Sequence, residues 1–61
     1  MNPELFIGLT VQEAKELAET NNIKFRITVQ DERPFIITTD FLTNRINVEV
    51  KKGKVVRANF G

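Results

Sequence analysis

Few side chains in this chain could do chemistry. Its 61 residues include no histidine and no cysteine. The commonest general base, the commonest metal ligand and the thiolate nucleophile are therefore all missing. What remains is Thr38-Thr39-Asp40, with Arg45 and Asn47 shortly downstream. Hydroxyls and a carboxylate next to a guanidinium form a hydrogen-bonding set, in which arginine offers a planar fork of donors. Such a set positions and binds; it supplies no acid/base pair or activated nucleophile. No enzyme activity, cofactor or metal is expected. Glu16 and Glu19 fall on the polar side of a helical pattern and read as solvated charges. Lys51-Lys52-Gly53-Lys54 has the composition of a phosphate site, but a basic hairpin tip is more commonly a solvated turn.

These residues have to be placed by a small fold. A chain of this length is one domain, residues 1–61, and buries roughly 60% of its unfolded surface. Hydrophobic residues make up 41%, enough for one core. Nine basic and eight acidic residues give a net charge of +1, far from the basic footprint of a nucleic-acid binder. No apolar run reaches membrane-spanning length. No basic segment leads from Met1 into an apolar one, so no leader is expected. As a full translated chain the protein is expected in the cytoplasm; if a leader has been removed, it is secreted. A monomer is expected.

The first element is signalled by Thr10 and Glu13, a capping box. Val11, Ala14, Leu17 and Ala18 then share one face. Thr20-Asn21-Asn22 ends the pattern, which predicts a helix over 11–20. Ile23, Phe25, Ile27 and Val29 alternate with polar residues, predicting a strand over 23–29 with those four on the core face. A second strand, 45–50, points Ile46, Val48 and Val50 inward and Arg45, Asn47 and Glu49 outward. A turn at Gly53 leads to a third strand, 55–60, with Val56, Ala58 and Phe60 on one face and Val55, Arg57 and Asn59 on the other. Phe25 and Phe60 read as core. The second and third strands are tightly joined and pair antiparallel. The first and second lack two-residue hairpin chemistry between them, which allows a long crossover and parallel pairing. One apolar helix stripe and one apolar sheet face must cover each other. The fold class is α+β: one helix on a small mixed sheet, a parallel pair plus a C-terminal hairpin.

Residues 30–44, Gln-Asp-Glu-Arg-Pro-Phe-Ile-Ile-Thr-Thr-Asp-Phe-Leu-Thr-Asn, have no place in that scheme. A connection of this length is usually functional. A fourth strand over 35–39 is favoured by its β-branched content, but apolar and polar residues there do not alternate. A disordered loop is disfavoured, because Phe35-Ile36-Ile37 would expose an apolar run. The third reading is an extended, stiff loop offered for recognition. Pro34 fixes its own φ and biases Arg33 toward extended geometry, and Ile36 to Thr39 are all β-branched. A stiff extended segment loses little entropy when a partner binds it as an added strand.

Over nearly its whole length the chain resembles the potato inhibitor I family of serine-protease inhibitors, which includes the eglins and the barley chymotrypsin inhibitor. Pro3-Glu4-Leu5 and Gly8 with Thr10-Val11-Gln12-Glu13-Ala14-Lys15 look like the family's opening, with one extra residue between Leu5 and Gly8. Thr38-Thr39-Asp40-Phe41 and Asn44-Arg45-Ile46-Asn47-Val48-Glu49-Val50 look like its reactive loop and the following strand, the latter nearest the bacterial branch. Gly53 and Phe60-Gly61 also match. The resemblance implies a reactive-site loop of Ile36, Ile37, Thr38, Thr39, Asp40 and Phe41, with the scissile bond between Thr39 and Asp40. It implies a serine protease as partner. Thr39 is smaller and more polar than the large apolar residue usual there, so a subtilisin-like or elastase-like target fits better than a chymotrypsin-like one. The tryptophan often found near the family's N-terminus is absent, which bears on core packing.

In the family, basic residues on the strand beneath tie down the loop. Here Arg45 and Asn47 share the outward parity of their strand, and Arg57 and Asn59 that of its neighbour, so a polar floor can lie under the loop. Arg45 can reach Asp40, the Thr38 hydroxyl or a loop carbonyl, and the Gly61 carboxylate can join. Asn47 stands where the family often has a second arginine, which predicts a weaker floor. The alternative function is a non-inhibitory interaction module of the same fold, binding a partner through the loop.

Overall fold

The computed structural model describes every residue, Met1 to Gly61, and shows an α+β fold with one helix packed on a four-stranded mixed sheet. A short 3₁₀ helix, Pro3–Phe6, is followed by α1 (Val11–Thr20), β1 (Lys24–Gln30), β2 (Arg33–Pro34), β3 (Arg45–Lys51) and β4 (Lys54–Phe60). The strands lie in the order β2-β1-β3-β4. β1 and β3 are parallel, and the other neighbours antiparallel. No helix is long and apolar enough to cross a membrane.

The helix spans the residues its pattern predicts because its start is chemically fixed. Glu13 N donates to Thr10 Oγ1 (3.1 Å), and Thr10 N donates to Glu13 Oε1 (2.9 Å). The bond from the Thr10 main chain, with that from its side chain, holds the Glu13 carboxyl below its ordinary range. At the other end Asn22 takes φ 56°, a left-handed geometry asparagine tolerates. Ala14 and Ala18, both small, let α1 sit close over Ile46, Val48 and Val50. The aromatic centre of this core is Phe6, fully buried and not foreseen from periodicity. Asn2 and Pro3 position it: Asn2 Oδ1 caps Glu4 N at 2.9 Å, and proline occupies the first helical position.

Two register shifts correct the predicted faces. Glu49 pairs with Arg57 but Val50 with Val55, so Val56 is an extra residue in β4. Val55 therefore turns into the core, 1% exposed, while Val56 points out at 47%. Simple alternation gives the reverse, because a bulge exchanges the faces on one side of it. Ala58 and Phe60 keep their predicted side and pack against the core. In β1 the register passes over Thr28, which pairs Val29 with the outward Glu49. Val29 is accordingly not part of the core cluster, whereas Ile23, Phe25 and Ile27 pack against it.

The β4 bulge has a direct test. Val55→Thr puts a hydroxyl into the core and should destabilise the fold by about 1–3 kcal/mol. Val56→Thr keeps the β-branched shape in solvent and should stay within about 0.5 kcal/mol of the parent. Urea unfolding of both variants reads the difference; equal losses would place the bulge elsewhere.

Candidate functional site

Residues 35–42 carry no regular secondary structure, and residues 31–41 are all exposed. The six residues Ile36, Ile37, Thr38, Thr39, Asp40 and Phe41 thus lie together on one exposed surface loop. Ile36 is completely exposed, and Phe41 is 72% exposed.

The chain enters the loop through a hairpin that sequence chemistry does not announce. Asp31 and Glu32 both have positive φ, 50° and 68°, the backbone that a two-residue turn of the primed type needs. The prediction that such chemistry is absent between the first two long strands is corrected here. Tertiary contacts hold the two residues in this geometry. Asp31 N donates to Val50 O at 2.8 Å, and Asp31 Oδ1 accepts from Lys52 N at 2.8 Å. Glu32 pairs with Lys51 Nζ at 3.1 Å. The strand this turn makes is Arg33–Pro34, in place of the possible strand over 35–39. Proline suits it, being at the sheet edge. One further bond, Phe35 N to Thr28 O (2.9 Å), ends the pairing and releases the chain.

Beneath the loop lies the polar floor. Arg45, on β3, is 8% exposed. Its Nη1 donates to Asp40 Oδ2 (3.2 Å) and its Nη2 to the Asp40 main-chain oxygen (3.0 Å). Nε and Nη2 both donate to the Gly61 main-chain oxygen, at 3.0 and 2.8 Å. Gly61 N returns a bond to Arg45 O at 3.0 Å. Gly61 is buried, with φ 147°, and a Cβ there would lie 3.2 Å from Phe41 Cε2. Glycine at this position lets the Phe41 ring close over the floor.

The second cation of the floor is Arg26, which sequence reading left out. It lies on β1, level with Asn47 in the parallel register. Arg26 Nε donates to Asn47 Oδ1 (2.8 Å), and its Nη1 to Thr38 Oγ1 (3.3 Å). Thr38 Oγ1 in turn donates to Asp40 Oδ1. Asn47 Nδ2 donates to Asn59 Oδ1 at 3.3 Å. A polar chain therefore runs Arg26, Thr38, Asp40, Arg45, Gly61, beneath the Thr39–Asp40 peptide. The signal for Arg26 was its outward parity combined with parallel pairing. Arg57 shares that parity but forms no hydrogen bond or ion pair, so it stands outside the floor.

The set contains two cations, one carboxylate, a hydroxyl and two amides. It can hold a backbone still, its one carboxylate being engaged by Thr38 and Arg45. No cluster of three or more acidic residues is placed to hold a metal. No family model, curated protein or solved structure matches the chain.

The Thr38 hydroxyl bond, reinforced by the charge of Arg45, holds the Asp40 carboxyl below its ordinary 3.8. A depressed folded pKa means that this tie is fully present above pH 3.8 and is lost as pH falls through the lower, folded value. An NMR titration of Asp40 should give a midpoint below that of a free aspartate. In Thr38→Val the midpoint should move up toward the ordinary value. An Asp40 that titrates normally in the parent would contradict the assigned bonds.

Proposed function

We propose that this chain inhibits a serine protease by offering residues 36–41 as a substrate, with Thr39–Asp40 as the bond presented. One observation carries the reading: an exposed loop without regular secondary structure is held on both sides of that bond, at Thr38 and at Asp40, by cations of the sheet below. A loop that only had to be solvated would need no such floor. The resemblance in sequence to potato inhibitor I proteins supports the choice of partner, and the modest size of Thr39 favours a subtilisin-like one.

The chemistry follows from proximity. The protease serine hydroxyl adds to the Thr39 carbonyl, the C–N bond breaks, and Asp40 leaves as a free amine with the proton delivered by the protease's base. Arg45 holds both the Asp40 carboxylate and its main-chain oxygen, so that amine stays beside the acyl group. Return to the peptide then outruns arrival of water, because an intramolecular partner has a high effective concentration. The inhibitor contributes positioning only.

The test is titration against subtilisin, elastase and chymotrypsin, with mass analysis of any cut. Stoichiometric inhibition of subtilisin or elastase is expected, with slow cleavage between Thr39 and Asp40. Thr39→Leu should tighten binding to chymotrypsin by about tenfold or more, since each buried methylene in an apolar pocket adds affinity. Absence of inhibition together with absence of a selective cut would remove the proposal. Binding to a non-protease partner through the intact loop would then favour the interaction-module alternative.

A further inference from the structure

We infer that the two arginines divide the work of the loop: Arg26 sets the conformation in which the loop is presented, and Arg45 retains the leaving amine after the bond is cut. The inference rests on the proposed inhibitory reading and adds Arg26 to it as a positioning residue.

The division follows from which side of Thr39–Asp40 each cation holds. Arg26 is on β1 and reaches Thr38, one residue before the acyl carbon. Arg45 is on β3 and reaches Asp40, the residue carrying the new amine. Once Thr39 is esterified, the protease itself holds the acyl side covalently. The tie from Arg26 to Thr38 then no longer decides where the acyl group sits. The amine has no such covalent anchor: from the sheet only Arg45 reaches its residue, and the Thr38 hydroxyl adds one bond from the acyl side. Before cleavage the situation differs. The free loop must be kept extended on both sides, and Arg26 supplies the only side-chain tie from the sheet to Thr38.

Asn47 explains why this cation comes from β1. It sits on β3 level with Arg26, and its Oδ1 receives Arg26 Nε at 2.8 Å. Its Nδ2 is committed to Asn59 on the far side. The amide thus aims the guanidinium, leaving Nη1 directed at the loop. A lysine has a single point charge and no fork, so it cannot satisfy Asn47 and Thr38 in the same way.

The experiment compares Arg26→Met and Arg45→Met, which keep an apolar stem and remove the donors, with Arg26→Lys as a milder variant. Circular dichroism first establishes that each is folded. Against a protease that the parent inhibits, Arg26→Met should raise Kd about tenfold, as expected for one lost charge-assisted bond. Its rate of Thr39–Asp40 hydrolysis within the saturated complex should change less than threefold, on the order of the scatter expected for a spectator. Arg45→Met should raise that hydrolysis rate at least about tenfold. In the free protein, ¹⁵N relaxation should show residues 36–39 loosened by Arg26→Met, with Arg26→Lys between it and the parent. Unchanged loop relaxation and Kd in Arg26→Met would overturn the role of Arg26. Equal acceleration of hydrolysis by both Met variants would overturn the division. If the parent binds no protease, the inhibitory reading fails and the division with it, while the relaxation data still decide whether Arg26 orders the loop.

Discussion

The structure turns on one guanidinium that is nearly out of solvent. Arg45 is 8% exposed, and a buried cation is tolerable only if its donors are used and its charge is met. Asp40 meets the charge, and the main-chain oxygens of Asp40 and Gly61 take three more of its donors. The loop, the start of β3 and the residue that follows β4 are thereby fixed to each other. Phe41 can close over Gly61 because Gly61 has no side chain, and Gly61 is held there by Arg45. The exposed loop is tied down at Asp40 by a charge that would otherwise be unpaired.

That arrangement depends on the sheet presenting the right residues upward. The bulge at Val56 and the irregularity at Thr28 both lie outside the floor, toward the far end of the sheet. From Lys24 to Ile27, and from Ile46 to Val48, the registers are regular. Parity is thus reliable where Arg26, Arg45 and Asn47 must line up, and breaks where the sheet has to bend into its turns. The core beneath reflects the same division. Ile46 and Val48 follow alternation, whereas Val55 enters the core only because of the bulge.

Much of this was legible in the sequence, for local physical reasons. A capping box and a 3.6-residue stripe define α1, and period-two alternation defines the three long strands. Strand parity turns Arg45 and Asn47 outward, but setting them and Gly61 beneath the loop came from the resemblance to potato inhibitor I proteins. What escaped was set by tertiary contact. Asp31-Glu32 does not look like a primed turn; it becomes one because Val50 and Lys52 supply partners. Phe6 lies in no periodic run, and its burial depends on where a 3₁₀ turn meets β4. Arg26 is one polar residue of an alternating strand, and only the parallel register of β1 and β3 sets it level with Asn47. Bulges leave no trace in a simple alternation count, so Val55 and Val56 exchanged places.

The small strand β2 has a consequence for how the molecule behaves in a crowd of its own copies. Phe35, Ile36 and Ile37 form the kind of apolar, β-prone run that seeds sheet-on-sheet growth. Growth needs a sheet edge on which a neighbour can lay down successive hydrogen bonds. β2 provides two residues, one of them a proline with no N–H to give and the other a charged arginine. The chain then leaves the sheet at Phe35, the first residue of the apolar run. Sticky side chains are on display, but the backbone ladder at this edge reaches only the first of them. At this edge, though not at β4 on the opposite side of the sheet, the apolar side chains stand free where the backbone ladder ends.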